Sequence, residues 1–461
     1  MTTITTGTRK GTMKRVPRSP KAVPPEERTF EGLRTKVVRK KARMAVIGLG
    51  YVGLPLAVEF AKAGFRVTGI DTDAGKVGRV NAGKSYIQDV PAAELKREVG
   101  SGRLSATTDF SVLQEIDCVS ICVPTPLRKT RDPDVSSIVS AAGEIAKYLH
   151  PGQLVLLEST TYPGTTDELI LPMLEETGLT VGRDFFLGFS PERVDPGNRS
   201  FNTSNIPKVV GGVTENCTRV AAEVYKATLS TVVPVSSTRV AEMVKLLENT
   251  FRSVNIGLVN EMALMCDKMK IDVWEVIQAA SSKPFGFMPF YPGPGLGGHC
   301  IPIDPFYLSW KAKLSGFEAR FIELAGQVNG SMPYHVVGKV SEALNSVKKS
   351  VNGSRILLLG VAYKADVDDS RESPALDIYQ MLTSLGAEVW YSDPHIGELK
   401  TERFHIKSKP LTAALLEKAD CVVITTAHTA FDYGMIASRA KLIFDSRNAL
   451  KGMKSGKIWR L

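Results

Sequence analysis

The sequence predicts an α/β fold in which two doubly wound parallel-sheet domains are joined by a central region of long helices. Short apolar strands alternate with helical stretches from Met44 to about residue 235, and this alternation begins again after Asn352. Such alternation is typical of Rossmann-like sheets, whose helices cover both faces. Between the two units, Thr238 to about Met269 is the longest helical pattern, with apolar residues at spacings of three and four. The expected divisions are a basic extension at 1–43, a first Rossmann-like domain at 44–235, a central helical region at 236–330 and a second Rossmann-like domain at 331–461.

The positive charge of the chain is confined to its first residues. The formal net charge is +10, and residues 1–43 hold 13 Lys and Arg against 3 acidic residues, whereas the remainder holds 45 of each sign. We therefore expect a disordered, solvated extension whose deletion (residues 1–40) leaves turnover nearly unchanged. Because the folded body has no excess of positive charge, nucleic acid is not an expected partner.

Two absences in the sequence narrow the class of protein further. No run of 18 apolar residues occurs, so no membrane-spanning helix is expected. Six cysteines without a CxxC pair argue against a zinc site or a disulfide framework, and no metal is expected. Cys118 and Cys122 lie in an apolar run and are expected to pack in a core. A reducing cytoplasm fits this use of cysteine.

The first strand of the chain leads into a glycine-rich turn, Gly48-Leu49-Gly50-Tyr51-Val52-Gly53, which is followed by a helix and a second strand ending at Asp71. These glycines permit a tight turn and bring a pyrophosphate to the helix N-terminus. Asp71 lies 21 residues after Gly50, where an acid binds the adenosine ribose hydroxyls and favours NAD over NADP. Lys76 follows at the adenosine end. The alternative is a glycine turn without a ligand.

Three further polar residues follow predicted strands of the same domain. Thr125 and Thr160 come after the strands at 117–123 and 153–157, and Glu192 comes after the apolar run at 185–189. Ligands of open parallel sheets bind beyond the carboxyl ends of the strands. The two threonines therefore lie where a nicotinamide or ribose would bind, or they cap the next helices. Glu192 is either a base that orients water or a surface carboxylate.

A second glycine-rich stretch, Gly293 to Asp304, carries a thiol at Cys300 and a carboxylate four residues later at Asp304. Glycines around a cysteine allow an exposed, activated thiol, although a turn with a spare thiol is the alternative. On the long helix, Lys245 and Asn249 are four residues apart and share a face. Lys245 becomes of interest only if that face meets the Cys300 loop.

The second Rossmann-like domain lacks a GxGxxG motif, and we do not expect a second dinucleotide there. Lys364 and Arg371 follow its first strand, where they suit an anionic ligand such as a diphosphate. We expect Lys364 on the substrate and Arg371 on the cofactor. The alternative is a surface network of ion pairs.

Taken in order, these motifs resemble the UDP-glucose/GDP-mannose dehydrogenase family over nearly all of residues 44–450. The match includes the Gly48–Gly53 turn, Ser190-Pro191-Glu192, Lys245-Leu246-Leu247-Glu248-Asn249, the Gly297–Asp304 loop and the segment from Lys364 to Arg371. The resemblance implies an N-terminal NAD domain, a central helical region that forms a homodimer or higher homo-oligomer, and a C-terminal UDP-sugar domain. Family members oxidise the 6-hydroxymethyl group of a nucleotide sugar to a carboxylate in two steps with two NAD.

The resemblance also implies a role for each residue. Cys300 captures the aldehyde as a thiohemiacetal, which a second hydride transfer converts to a thioester. Lys245 stabilises developing oxyanion charge, and Asp304 lies near that lysine and the water. Glu192 serves in acid–base work on thioester hydrolysis, while Thr125 and Asn249 orient substrate or water.

The identity of the sugar rests on local resemblance. The segment from Glu248 to Asn255 is similar to the branch that acts on UDP-N-acetylhexosamines, and Arg193 replaces the Phe that is typical of the UDP-glucose branch. Arg193 and Arg252 are the expected substrate contacts, although Arg252 could instead pair with a nearby Glu. The order of preference is UDP-N-acetylglucosamine, UDP-N-acetylgalactosamine, UDP-glucose, UDP-N-acetylmannosamine and GDP-mannose. Alternatives of other classes are a non-catalytic nucleotide-binding partner and a two-electron hydroxyacid dehydrogenase.

Overall fold

The chain folds into two α/β domains connected by long helices, which confirms the predicted fold class. The computed structural model describes residues 25–87, 89–127, 132–194, 203–298, 301–401 and 404–461. Each domain contains a mainly parallel sheet of Rossmann-like strand order. Within these ranges, every helix falls short of the length and apolar character that crossing a membrane requires.

The first domain is built on an eight-stranded sheet of order β3-β2-β1-β4-β5-β6-β7-β8. The strands are β1 (Arg43–Ile47), β2 (Arg66–Ile70), β3 (Leu104–Thr107), β4 (Cys118–Ile121), β5 (Leu154–Leu157), β6 (Phe186–Phe189), β7 (Lys208–Gly212) and β8 (Val232–Pro234). The helices are α1 (Pro25–Val38), α2 (Gly53–Lys62), α3 (Ala74–Asn81), α4 (Ala92–Gly100), α5 (Ser136–Tyr148), α6 (Leu171–Glu175) and α7 (Glu215–Lys226), with a 3-10 turn at Phe110–Glu115 and a π-helical turn at Thr165–Ile170.

Strand β5 explains why the central strands of this sheet are apolar at every position. Leu154 and Leu156 point into one hydrophobic core, and Val155 and Leu157 point into a second core on the opposite face. Successive side chains of a strand alternate between faces, so a sheet that is covered on both sides needs a continuous apolar run.

Strands β7 and β8 run in the opposite direction to the other six strands, because β8 is parallel to β7. Strand β7 is antiparallel to β6, with Gly188 opposite Gly212 and Phe189 opposite Gly211. In an antiparallel pair, residues further along β6 lie opposite residues nearer the start of β7. The segment that follows β6 is therefore directed toward Lys208, the first residue of β7.

The expected disorder of the extension 1–43 is wrong for residues 25–38, which form α1. Phe30, Leu33 and Val37 on one face of α1 are buried in the core of the first domain. Phe30 meets the ring of Phe186 edge to face at 6.3 Å. The prediction relied on the charge and Pro content of the whole extension, and it overlooked apolar residues at helical spacing. Residues 1–24 lie outside the described residues.

The central region consists of α8 (Thr238–Met269), α9 (Val273–Ala280), α10 (Asp304–Leu314) and α11 (Arg320–Ser346). The bounds of α8 confirm the predicted long helix. A Cβ atom at Gly257 of α8 would lie 3.1 Å from the Cα of Ala325 in α11, so glycine allows these helices to approach closely. The boundary expected between residues 330 and 331 falls inside α11. This helix packs against α8 and also against the second domain, so it belongs to both regions.

The second domain contains a five-stranded parallel sheet of order β10-β9-β13-β14-β15 and a separate hairpin of β11 and β12. Its first strand again divides its side chains between two cores, with Ile356 and Leu358 on one face and Leu357 and Leu359 on the other. The elements are β9 (Arg355–Leu359), α12 (Pro374–Ser384), β10 (Glu388–Ser392), β11 (Glu398–Lys400), β12 (His405–Lys407), α13 (Ala413–Lys418), β13 (Cys421–Ile424), α14 (Tyr433–Arg439), β14 (Ile443–Asp445) and β15 (Ile458–Arg460).

Candidate active site

The glycine-rich turn between β1 and α2 is shaped by contacts that only glycine permits. Gly48 has a positive φ of 92°, and a Cβ atom there would lie 2.4 Å from the carbonyl oxygen of Cys122. A Cβ atom at Gly53 would lie 1.8 Å from the carbonyl oxygen of Gly48. At Gly50 a Cβ atom would meet no described atom within 4 Å, so this backbone borders open space. The turn therefore fits a pyrophosphate that approaches the start of α2.

Asp71, at the end of β2, holds this turn in place. Its carboxylate accepts hydrogen bonds from the N–H groups of Leu49 (2.8 Å) and Asp73 (2.9 Å), and the ammonium of Lys76 lies 3.4 Å away. A carboxylate has about four acceptor positions. Asp71 therefore keeps capacity for a ribose hydroxyl, as the sequence predicts, and Lys76 lies at the same end.

Thr125 and Thr160 lie side by side after the adjacent strands β4 and β5. The Thr125 hydroxyl donates to the carbonyl of Thr160 at 2.7 Å. The hydroxyl of Tyr307 on α10, a fully buried side chain, donates to the carbonyl of Thr125. The Tyr307 contact attaches the central region to the edge of the sheet where the sequence predicts a nicotinamide or ribose.

The second domain reaches the glycine-rich turn through Arg371. Its guanidinium lies 5.2 Å from the ring centre of Tyr51, a cation–π distance, and forms a two-pronged ion pair with Asp369 at 2.6 and 3.0 Å. The hydrogen bond to Asp369 raises the pKa of Arg371. Arg371 thus lies beside the glycine-rich turn, whereas Val52 of this turn packs against the core of the first domain.

Lys245, Asn249 and Asp304 form a buried cluster where α8 meets the start of α10. The Asn249 side-chain amide donates to the Asp304 carboxylate, which is only 3% exposed. Burial raises the pKa of Asp304 to about 6, although the charge of Lys245 and the hydrogen bond from Asn249 act in the opposite direction. A carboxyl group with such a pKa can exchange a proton near neutral pH.

The loop before α10 is packed against the second domain. Gly298 donates its N–H to the carbonyl of Arg371 at 3.1 Å, and a Cβ atom on Gly298 would lie 2.8 Å from the ring of Tyr363. Lys364, half-buried, follows Tyr363 directly. Cys300 lies outside the described residues. The face of α8 that carries Lys245 meets the other end of this loop at Asp304. This contact is the one that the sequence analysis requires before Lys245 is considered a functional residue.

Glu192 and Arg193 are held by different neighbours. One Glu192 carboxylate oxygen accepts from the N–H groups of Arg193 and Val194, both at 2.7 Å, and the other lies 3.7 Å from the ammonium of Lys208. The Arg193 guanidinium pairs with Glu248 of α8 at 2.6 Å.

Arg252, the remaining predicted substrate contact, is exposed on α8. Glu248, the acid that shares its helix face, pairs with Arg193 instead. Within the described residues, Arg252 makes no hydrogen bond or ion pair with the other predicted substrate residues.

Sequence reasoning missed three residues that lie against predicted site residues or the Gly293–Asp304 loop, namely Lys208, Tyr307 and Arg447. Arg447 follows β14, and a Cβ atom on Gly293 would lie 2.5 Å from its guanidinium. Burial lowers the pKa of Arg447 to about 10, although the nearby Asp445 opposes this effect. Position after a strand was an available signal for Arg447, as it was for Thr125. Lys208 and Tyr307 carried no comparable signal, because tertiary packing alone brings them to the cleft.

A glycine-rich dinucleotide turn, with a buried lysine, amide and carboxylate cluster across the cleft, defines the class of the protein as an NAD-dependent dehydrogenase. Sequence comparison then identifies the UDP-glucose/GDP-mannose dehydrogenase family. Its NAD binding domain matches residues 42–229, its central domain residues 239–331 and its UDP binding domain residues 357–452.

Individual relatives agree with this match. A UDP-N-acetyl-D-glucosamine 6-dehydrogenase from Pseudomonas aeruginosa is 36% identical over 420 residues, which span 91% of this chain and 95% of that protein. A UDP-N-acetyl-D-mannosamine dehydrogenase from Campylobacter jejuni is 36% identical over 403 residues, spanning 84% of this chain and 96% of that protein. The solved structure of the UDP-D-ManNAc dehydrogenase from Pyrococcus horikoshii has a TM-score of 0.83 at 34% identity, with coverage of 91% and 98%. The chain belongs to the UDP-glucose/GDP-mannose dehydrogenase family and is an NAD-dependent nucleotide-sugar 6-dehydrogenase.

Proposed function

We propose that the chain oxidises the 6-hydroxymethyl group of a UDP-N-acetylhexosamine, foremost UDP-N-acetylglucosamine, to the uronic acid. The observation that carries this proposal is the buried cluster of Lys245, Asn249 and Asp304, of which Asp304 lies four residues after Cys300 in the sequence. The overall reaction consumes two NAD+ and one water and yields a carboxylate, two NADH and three protons.

The two oxidation steps need an oxyanion partner and a nucleophile. NAD+, when bound, accepts the hydride in each step. In our proposal, Lys245 stabilises negative charge on the substrate oxygen as the alcohol becomes an aldehyde. The Cys300 sulfur then bonds to the aldehyde carbon to give a thiohemiacetal, and loss of a hydride and a proton gives a thioester.

Hydrolysis releases the product from Cys300. Water attacks the thioester carbon, the carbon–sulfur bond breaks and the thiolate leaves. Glu192 accepts the proton of the attacking water, and Asp304 keeps Lys245 and Asn249 oriented toward the reacting carbonyl.

We assign the predicted site residues to the two ligands as the family resemblance implies. We propose that the cofactor is held by Gly48, Gly50, Tyr51, Val52, Gly53, Asp71, Lys76, Thr125, Thr160 and Arg371. We propose that the UDP-sugar is held by Glu192, Arg193, Lys245, Asn249, Arg252 and Lys364, with Thr125 orienting the reacting group.

The test of substrate and stoichiometry is the NADH formed per molecule of limiting UDP-N-acetylglucosamine, with UDP-N-acetylmannosamine and UDP-glucose in parallel. UDP-N-acetylmannosamine is the second candidate, because several relatives are named for it. We expect two NADH per sugar, with the fastest turnover on the N-acetylglucosamine substrate. Two NADH from another sugar would move the specificity, and one NADH would contradict the role of Cys300.

The substitution Cys300→Ala separates this mechanism from a two-electron dehydrogenase. The variant should no longer form acid, whereas a two-electron enzyme would keep its rate because it needs no covalent nucleophile. Cys266→Ala, which removes a half-buried free thiol from α8, is the matched control and should keep full activity. Acid formation by Cys300→Ala at the wild-type rate would contradict the proposal.

We also propose a homodimer formed through α8. Met243, Leu247, Phe251 and Leu258 form an exposed apolar stripe along this helix, and Leu247 is 59% exposed. Contiguous apolar surface of this kind is typical of association sites. Light scattering should give a dimer that Leu247→Glu converts to monomer, while Leu385→Glu, at an exposed leucine of the second domain, leaves it intact. A monomeric wild type would contradict this proposal.

We propose the cytoplasm as the place of action. The five cysteines of the described residues are free, and four of them are buried. Free thiols persist in a reducing compartment. Fractionation of cells that produce the native chain should recover it with cytoplasmic markers.

A further inference from the structure

Lys208 is a buried lysine that contacts two carboxylates at the edge of the first sheet. Its ammonium lies 2.7 Å from a carboxylate oxygen of Glu158 and 3.7 Å from one of Glu192. Glu158 follows β5, and the antiparallel register of β6 and β7 brings Glu192 opposite Lys208. The other oxygen of Glu158 accepts a hydrogen bond from the Tyr225 hydroxyl at 2.7 Å.

The charge balance of this group gives Lys208 a specific effect on Glu192. Although burial lowers the pKa of Lys208, the charges of Glu158 and Glu192 outweigh it and raise the pKa. Lys208 is therefore a cation, and Glu158 alone is enough to neutralise it. Without Lys208, the carboxylates of Glu158 and Glu192 would lie near each other with no cation between them, and their mutual repulsion would push the Glu192 carboxylate away from β7.

We propose that Lys208 is a positioning residue for the hydrolysis step. Its ammonium attracts the Glu192 carboxylate toward β7 and offsets the repulsion from Glu158, so that Glu192 stays in position to accept the proton of the attacking water. Lys208 touches no reacting atom, and it acts only through Glu192. The inference therefore rests on the proposed role of Glu192 in thioester hydrolysis.

The step that depends on Lys208 transfers no electrons. The water oxygen bonds to the thioester carbon, one water proton passes to Glu192, and the carbon–sulfur bond breaks with the electron pair leaving on sulfur. Glu192 then releases its proton to solvent. If the Glu192 carboxylate is displaced, this transfer fails, while both hydride transfers before it remain possible.

Rapid-mixing measurement of NADH tests the inference, because it separates oxidation from hydrolysis. In Lys208→Met, we expect a burst of two NADH per active site, followed by steady turnover reduced by about tenfold or more. Intact-protein mass spectrometry should detect the sugar thioester accumulating on the enzyme. Lys208→Arg retains the cation and should restore turnover without a burst.

A second variant protects the test against loss of folding. Removing Lys208 alone leaves the buried Glu158 carboxylate without its cation, which destabilises the folded protein. In Lys208→Met/Glu158→Gln, neither buried charge remains, so the variant should fold. It loses the repulsion from Glu158 but also the attraction to Lys208 that positions Glu192, so it should still show the burst and turn over faster than the single variant but slower than wild type. Wild-type turnover without a burst in this double variant would overturn the inference.

Glu192→Gln distinguishes failure of the inference from failure of the proposed function. It should also show the burst and accumulate the thioester. If Glu192→Gln shows the burst and neither Lys208→Met nor the double variant does, only the role of Lys208 is wrong. If Glu192→Gln turns over normally, the proposed role of Glu192 is wrong as well.

Discussion

Helix α1 should contribute measurably to the stability of the first domain, in contrast to the solvated extension that the composition predicts. Phe30 is 3% exposed, packs against Phe186 and lies 4.5 Å beneath the guanidinium of Arg219. The ammonium of Lys36 also pairs with Asp117 at 2.6 Å, at the start of β4. The informative perturbation is Phe30→Ala.

The size of the effect follows from the burial of the ring. Truncating a buried Phe to Ala costs about 3–5 kcal/mol, and the lower end applies to Phe30 because α1 lies at the domain surface and can relax. For a domain of this size, 1 kcal/mol corresponds to about 2–4 °C in melting temperature. Phe30→Ala should therefore lower the melting temperature of the first domain by about 6–12 °C.

Calorimetry of wild type, Phe30→Ala and Arg34→Ala measures this difference. Arg34 is an exposed residue of the same helix, so its truncation should shift the melting temperature by no more than about 1–2 °C. Deletion of residues 1–24 should be neutral, and deletion of residues 1–41 should destabilise at least as much as Phe30→Ala. Because α1 contacts α7 and not the cleft, turnover at 25 °C should change little in all variants. Equal melting temperatures for Phe30→Ala and Arg34→Ala would refute the packing of α1.

Three further predictions concern the cleft. Turnover should fall as pH drops below about 6, where Asp304 gains a proton. Asn249→Ala removes a hydrogen bond that lowers the pKa of Asp304, so it should move the acidic limb of the pH–rate profile to higher pH. An unmoved limb would exclude Asp304 as the group whose protonation stops turnover. Tyr307→Phe leaves the buried Thr125 carbonyl without its donor, so it should cost about 1–3 kcal/mol in denaturant unfolding, whereas Tyr334→Phe at an exposed site should cost nothing measurable. Gly53→Ala should lower the melting temperature of the ligand-free protein, because the new Cβ atom meets the Gly48 carbonyl. Gly50→Ala should keep the melting temperature and weaken NAD binding in calorimetric titration. If the two variants changed melting temperature and NAD binding equally, the geometry of the turn would be contradicted.

The fold was predictable because its signals are local. Helix α8 occupies the residues that its apolar spacing indicates, and β9 and β10 coincide with short apolar runs after Asn352. The helix α1 was missed because Phe30, Leu33 and Val37 lie within a segment whose average composition is basic and polar. Averaging over 43 residues concealed a helical spacing of three and four.

Candidate site residues were predictable where they follow a strand directly or share one helix face. Asp71, Thr125 and Glu192 were predicted in the first way, since ligands bind beyond the carboxyl ends of strands, and Lys245 and Asn249 in the second. Lys208 begins a strand instead of ending one, and it reaches the site because β7 is antiparallel. Tyr307 reaches Thr125 across the packing of α10 on the first domain, which no spacing within one segment encodes.

The two domains repeat one turn and use it differently. In the first domain, Gly48 donates to the carbonyl at the end of β2, and the next N–H, at Leu49, donates to Asp71. In the second, Gly360 donates to the carbonyl of Ser392 at the end of β10, and the next N–H, at Val361, donates to Asp393 at 2.7 Å.

The repeat ends at the residues that would hold a dinucleotide. The buried His428 ring pairs with Asp393 at 3.0 Å, in the place where a ribose hydroxyl would bind. The helix after the turn begins directly at Gly53 in the first domain but only at Pro374 in the second. A helix therefore starts at the turn itself in the first domain, whereas a loop that carries Lys364 and Arg371 occupies this position in the second. The same turn thus presents the backbone N–H groups of a helix N-terminus in one domain and cationic side chains in the other, which are two different ways of offering positive charge to an anion.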